Sequence, residues 1–247
     1  VEDTAEEVTA RGGHGIPVCA DLSDEEQVAA LFRRIEQEHG GLLVLANAAW
    51  GPNVMPVWSR RYWELDPALW HETLATIGVC WLTSVYATRL MVSAKRGVIV
   101  HVTDNYYMPD DDISSAGPHP NPSEWRGQIL HDLGHEFFNR LIFGMSRYTK
   151  KHNVVVAGLN PGFMRTERVL MHMKTDALKK QFRFDLSETT EYIGRAVVAL
   201  AGDRDAIRKN GKLLWVCDLA SEYGFTDIDG RYIPRFDPKA PMQPFPC

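Results

Sequence analysis

Cysteine is scarce in this sequence, and the four that occur, Cys19, Cys80, Cys217 and Cys247, stand far apart. No CxxC pair is formed, so neither a zinc ribbon nor a disulfide framework is indicated. Scattered thiols suit a reducing compartment, and a cytoplasmic location is expected. Long apolar runs are also missing. No segment reaches the ~20 residues that would span a bilayer, and nothing at the start reads as a signal peptide. Positive charge is not in excess either. Lys and Arg total 27 against 32 Asp and Glu, a net charge of -5 that leaves no basic footprint for nucleic acid.

What is present is an ordinary globular composition. The apolar fraction is 45% and the charged fraction 24% over 247 residues, enough for one domain with a real core. Apolar stretches alternate with helical patterns. The segments "GIPVCADL" (15–22), "LLVLANA" (42–48), "GVIVHVT" (97–103), "NVVVAGLN" (153–160) and "GKLLWVCDL" (211–219) read as buried strands. Helices are expected over 23–41, 67–95 and 125–151, and near 167–182 and 188–202. In the first of these, Ser23 and Glu26 can form a capping box and Gly40 can stop the helix. Continuous apolar strands separated by helices predict an α/β, doubly wound, Rossmann-like parallel sheet covered on both faces. One domain is expected over 1–230, followed by a Pro-rich extended tail over 231–247. The opening "VEDTAEEVTARGG" reads as the later part of an amphipathic helix stopped at Gly12–Gly13.

The chemistry-bearing stretch is "HDLGH" (131–135). Two histidines four residues apart share one face of a helix. Three readings are open: acid–base catalysis by His131 supported by His135 or Asp104, a metal site using both imidazoles and a carboxylate, or two histidines with no chemical role. No third ligand is fixed by the spacing, and no metal is assigned. The loop over 105–127 is long enough to act as a lid, and the run Asp110–Asp112 within it reads as a solvated stretch. Its Tyr106, Tyr107 and Trp125 could flank an organic substrate, with Trp50 and the aromatic segment 50–66 facing them.

Six segments in order resemble the short-chain dehydrogenase/reductase family: "CADLSD", "LLVLANAAWG", "GVIVHVTD", "HDLGH", "LNPGFMRTE" and "ASEYGFTDIDGR". The resemblance covers nearly the whole chain. It implies that Asp21 and Leu22 meet an adenine, that Asn47, Ala48 and Ala49 run along a dinucleotide, and that Pro161, Gly162 and Thr166 border a nicotinamide, with Phe163 beside the substrate. It implies a small carbonyl or hydroxyl substrate and a homodimer or homotetramer built through the 67–95 and 125–151 helices.

The family's Asn-Ser-Tyr-Lys set is replaced here. Counting from neighbouring motifs, the four slots fall on Thr76, Asp104, His131 and His135. A Gly-rich phosphate loop does not occur in these 247 residues. An NAD(P)(H) cofactor is therefore expected only if a first β-α-β unit of roughly 40 residues precedes Val1. Tyr to His lowers the proton donor's ordinary pKa from about 10 to about 6.5. Such a group needs no lysine to activate it. The expected activity is accordingly non-hydride acid–base chemistry: isomerisation, dehydration or cyclisation. The alternatives are an NAD(P)H-dependent carbonyl reductase with an atypical proton donor, and a non-catalytic binding subunit.

Overall fold

A computed structural model describes residues 1–51, 60–103, 129–181 and 183–235. Among them, four parallel strands make one sheet in sequential order: β1 (Val44–Asn47), β2 (Gly97–Val102), β3 (Val154–Asn160) and β4 (Leu213–Trp215). The helices are α1 (Glu2–Ala10), α2 (Glu25–His39), α3 (Leu69–Ala94), α4 (Ile129–Thr149), α5 (Glu167–His172), α6 (Asp176–Gln181), α7 (Thr190–Gly202) and α8 (Val216–Tyr223).

Alternation along the strands feeds two cores. On one face Val98 and Val100 of β2 join Val155, Ala157 and Leu159 of β3 against Tyr192, Ala196 and Leu200 of α7 and Val216 and Leu219 of α8. On the other, Ile99, Val154 and Val156 meet Val28 and Phe32 of α2, Ala87 and Met91 of α3, and Ile142 of α4. Both strand faces are thus covered, which is why these strands read as unbroken apolar runs.

Several expectations are corrected. The segment 15–22 forms no strand; Ile16, Pro17 and Cys19 are exposed. A strand exists only as a hydrogen-bonded pair, and no strand pairs with this segment among the described residues. The stretch 211–219 is a strand for only three residues before α8 begins at Val216. The expected 167–182 helix is two short ones, α5 and α6. Asp24, not Ser23, caps α2: its carboxylate accepts from Glu26 N at 2.8 Å and Gln27 N at 3.4 Å. The Ser23 hydroxyl instead donates to Asp21. Gly40 does end α2, in the left-handed region at φ 73°. Helix α3 also departs from the hydropathy reading. Its best window averages a hydropathy of 1.3, long and apolar enough to cross a membrane by composition alone. In the fold it packs on α2, α4 and the sheet.

Candidate active site

In a sequentially wound parallel sheet, ligands gather at the carboxyl ends of the strands. The polar residues of this chain gather there too. Asn47 ends β1, Thr103 follows β2, and Asn160 ends β3. The first two turns of α4 bring in His131, Gly134 and His135.

The indole of Trp50 lies across this part of α4. It stacks on His135, with centroids 4.6 Å apart and planes at 15°, and meets His131 edge-on at 5.3 Å. The two imidazoles are 4.4 Å apart. The glycine of HDLGH explains the close fit. A β-carbon at Gly134 would stand 2.7 Å from Trp50 Cη2 and 2.9 Å from Cζ3, closer than packed carbons approach. Thus three of the five residues in the motif face one tryptophan.

His135 Nδ1 lies 3.3 Å from Thr103 Oγ1, and that hydroxyl donates to Asn139 Oδ1 at 2.8 Å. Asn139 Nδ2 in turn approaches Glu136 Oε1 at 3.4 Å. Burial, and then the adjacent His131, hold the His135 imidazole well below its usual pKa, so it is neutral near pH 7. Burial, with Asp132 adding to it, raises the Glu136 carboxyl. The His131 side chain is 20% exposed, with Nδ1 3.5 Å from Asp132 Oδ1.

Beneath this pair runs a buried polar layer that sequence reasoning missed. Asn47 donates to Ser84 Oγ at 3.2 Å and accepts from Thr83 Oγ1 at 3.0 Å; Ser84 Oγ lies 3.3 Å from His101 Nε2. Burial pushes the His101 imidazole down to about 4. The Asn47 side chain is thus committed to α3. Thr76, expected in a catalytic slot, is 6% exposed. Its hydroxyl accepts from Gly51 N at 3.1 Å and donates to Glu72 O at 3.1 Å, so it braces the turn that carries Trp50. Ala48 and Ala49 lie exposed on that turn.

The remaining residues occupy two further places. Asp21 is exposed and accepts from Ser23 N, while Leu22 packs against the α2–α3 core. After β3, Gly162 takes φ 87° and its N–H donates to Asn160 Oδ1 at 3.1 Å. Pro161 precedes it in that turn, and the Phe163 ring meets Phe184 edge-on. Thr166 caps α5 by accepting from Val169 N. Asp104, Tyr106, Tyr107 and Trp125 lie outside the described residues. Among the described residues no group of three His, Cys, Asp or Glu side chains is arranged to hold a metal ion.

A parallel sheet covered by helices on both faces, with polar side chains converging at its carboxyl edge, defines a doubly wound, Rossmann-like α/β domain. The chain belongs to the short-chain dehydrogenase/reductase family. The family profile described as short chain dehydrogenase matches residues 1–106. Human "Dehydrogenase/reductase SDR family member 1" is 31% identical over 239 residues, spanning 92% of this chain and 71% of that protein. Among solved structures, a Xanthomonas campestris protein to which dehydrogenase activity is ascribed superposes with a TM-score of 0.72 at 20% identity, covering 98% of this chain and 80% of its own. A gluconate 5-dehydrogenase of Burkholderia cenocepacia, in complex with NADP and tartrate, gives a TM-score of 0.66 at 16% identity, over 86% of this chain and 78% of its own. These structures share the fold with this chain.

Proposed function

We propose that this chain is the catalytic domain of an enzyme that moves protons at a small or medium carbonyl or hydroxyl compound. His135 acts as the inner base and His131 as the group that exchanges the proton with solvent. The observation that carries this is the imidazole pair, 4.4 Å apart under one indole, with the His135 ring beside Thr103 and the His131 ring beside Asp132. A neutral imidazole offers a ring-nitrogen lone pair to a substrate proton without a lysine beside it. Isomerisation, dehydration and cyclisation all need that step and no hydride.

Membership of an oxidoreductase family favours a second reading, carbonyl reduction with NAD(P)H, in which the nicotinamide would supply hydride and the histidine pair the proton. The residues present suit the two ends of such a cofactor. The exposed Asp21–Leu22 turn would face the adenine, and the Pro161–Thr166 loop the nicotinamide. Trp50, just after β1, stacks on His135.

One experiment separates the two readings. A panel of small ketones and aldehydes is incubated with the protein in deuterium oxide, with and without NADPH or NADH. Deuterium appearing beside the carbonyl without dinucleotide, and lost in His135→Gln, is the expected result. Turnover that requires NAD(P)H and transfers its hydride would replace the first reading by the second.

We also propose that the protein assembles as a homodimer or homotetramer through α3 and α4. Their outer faces form an apolar groove of about 550 Å³ lined by Trp81, Val85, Phe137, Leu141, Met145 and Tyr148. Trp81 remains 52% exposed and Tyr148 79%, more bare aromatic surface than a solitary helix pair needs. A Trp81→Glu variant should halve or quarter the mass measured by light scattering; an unchanged mass would overturn this interface.

A further inference from the structure

We propose that Arg165 is a substrate-binding residue and that the carbonyl compound handled by this chain carries a carboxylate. The inference rests on the proton-transfer reading and adds to it the class of substrate.

Arg165 stands in the loop that leaves the carboxyl end of β3. That strand end borders the site, since the Thr103 N–H donates to Leu159 O at 3.0 Å. The Arg165 backbone is pinned where its own N–H donates to Glu188 O at 2.8 Å. Its side chain is half-buried, and Nε donates to Ser187 Oγ at 2.7 Å. Ser187 is 0% exposed and gives its hydroxyl proton to Phe184 O at 2.6 Å. One serine therefore fixes both the guanidinium and the ring it covers, with Arg165 Cζ 5.1 Å from the Phe184 centroid.

The charges around that ring do not balance. Arg231 Nε pairs with Asp229 Oδ2 at 2.7 Å, and Arg183 Nε with Asp185 Oδ1 at 3.5 Å. Asp229 also feels Arg165, but Arg231 supplies its hydrogen bonds. Lys179 Nζ stands 6.0 Å from the same Phe184 centroid. Among the described residues neither Lys179 nor Arg165 has a carboxylate within ion-pair distance. A guanidinium carries five N–H donors. Arg165 uses the one on Nε, and those on Nη1 and Nη2 bond nothing among the described residues.

A half-buried cation has lost part of its hydration and is costly without a counter-charge. The planar fork of Nη1 and Nη2 matches the two oxygens of a carboxylate. Aromatic surface adjoins the fork, because the Phe163 ring meets Phe184 edge-on at 6.4 Å and both rings are half-buried. A fork beside two aromatic rings suits the charged end and the apolar body of an oxo acid.

The test begins with binding alone. The full chain, labelled with 15N, is titrated with benzoate, with its neutral isostere benzamide and with phenyl phosphate. The Arg165 Nε–H resonance is assigned by its loss in Arg165→Lys. Benzoate should shift that resonance saturably and benzamide should not. Calorimetry should show benzoate affinity about tenfold lower in Arg165→Gln, the size of one charge-assisted hydrogen bond. Arg165→Lys keeps the charge without the fork and should lose several-fold. Parent-like benzoate affinity in whichever variant folds would overturn the proposal. Tighter binding of phenyl phosphate than of benzoate would overturn the carboxylate assignment.

Turnover is then read separately, by deuterium exchange into 4-oxopentanoate and its methyl ester. The acid should have the lower KM, by about tenfold, and should lose that advantage in Arg165→Gln. Exchange with equal KM for acid and ester would overturn the substrate class and leave proton transfer standing. Benzoate bound at Arg165 with no exchange in any ketone would retain the anion site and overturn only the proton-transfer reading.

Discussion

The α3–α4 face of the sheet and the α7–α8 face each bury ionisable side chains near the carboxyl end, on different terms. On the first, His135 is wired through Thr103 and Asn139, and His101 touches Ser84. On the second, Glu188 is 1% exposed, and its Oε1 finds no hydrogen-bond partner among the described residues. Its neighbour Asp227 is 1% exposed but accepts from Thr189 N, from the Thr189 hydroxyl and from Ile228 N. Arg165 and Arg231 both bond the adjacent Ser187. Burial, and then Asp227, push Glu188 up to about 9. One face therefore buries bases that stay neutral, and the other an acid that stays protonated.

The two faces should then fail at opposite ends of the pH scale. Glu188 binds its proton more tightly folded than unfolded. Its contribution is complete below about 4.5 and is lost as pH rises toward 9. The histidines work the other way. With folded pKa values below the usual 6.5, their contribution is present above 6.5 and is lost as pH falls, for His101 down to about 4. The largest expected effect comes from Glu188→Gln, which keeps the shape and removes the titration. Denaturant melts at pH 9 should show it more stable than the parent by on the order of 4 kcal/mol. Equal stability at pH 9 would mean that Glu188 carries no buried charge there.

The acid limb is tested next. His101→Gln removes one of the two buried imidazoles, while His135 keeps its share. Between pH 6.5 and 4 the variant should lose ~3 kcal/mol less than the parent, from the linkage of one depressed imidazole. Parallel curves for variant and parent would assign the acid limb to other groups. Together the two variants either separate the limbs by face or dissolve the distinction.

Much of this framework was readable in the chain, and the exceptions have physical reasons. The runs 97–103 and 153–160 predicted β2 and β3 because a strand buried on both faces is apolar at every position. The run 15–22 has the same look but pairs with no strand among the described residues, and pairing is not written in a single segment. The stretch "LLWVCDL" misled because its apolar residues suit both a short strand and the first turn of a buried helix, and α8 follows β4 without a loop. At the site, spacing alone brought out His131 and His135. Thr103 and Asn139, 36 residues apart, become partners only when β2 and α4 dock. Thr189 and Asp227, 38 apart, likewise meet only through the fold. Nothing in the sequence distinguishes them from the other polar residues of their segments. Gly134 was visible as a letter of the motif, but its reason, the Trp50 ring, lies 84 positions away.

That glycine gives a prediction of intermediate size. Gly134→Ala improves helix propensity by about 1 kcal/mol in isolation, yet its methyl would meet Trp50 at 2.7 Å. The indole must move, and crowding of this kind costs about 1–3 kcal/mol. A net destabilisation, with loss of the His135 ring-current shift caused by the stacked indole, is expected. If the spectrum and the melting curve stay unchanged, Trp50 does not rest on α4, and the histidine face owes its arrangement to the polar network alone.

The smallest effect tests whether Asp227, rather than Glu188, is the settled member of its pair. Thr189→Val removes the hydroxyl donor to Asp227 and leaves the Thr189 N–H and Ile228 N–H in place. One lost bond among three to a buried carboxylate should cost about 1 kcal/mol at pH 7. It should also shift the alkaline limb of the melts, because the Asp227 carboxylate it releases is one of the two causes that raise Glu188. In the Glu188→Gln background that shift should disappear while the ~1 kcal/mol cost remains. If the alkaline shift persists there, it belongs to some other group. Glu188 and Asp227 then do not act as a coupled pair, and the contrast between the two faces reduces to one isolated buried acid against two isolated buried bases.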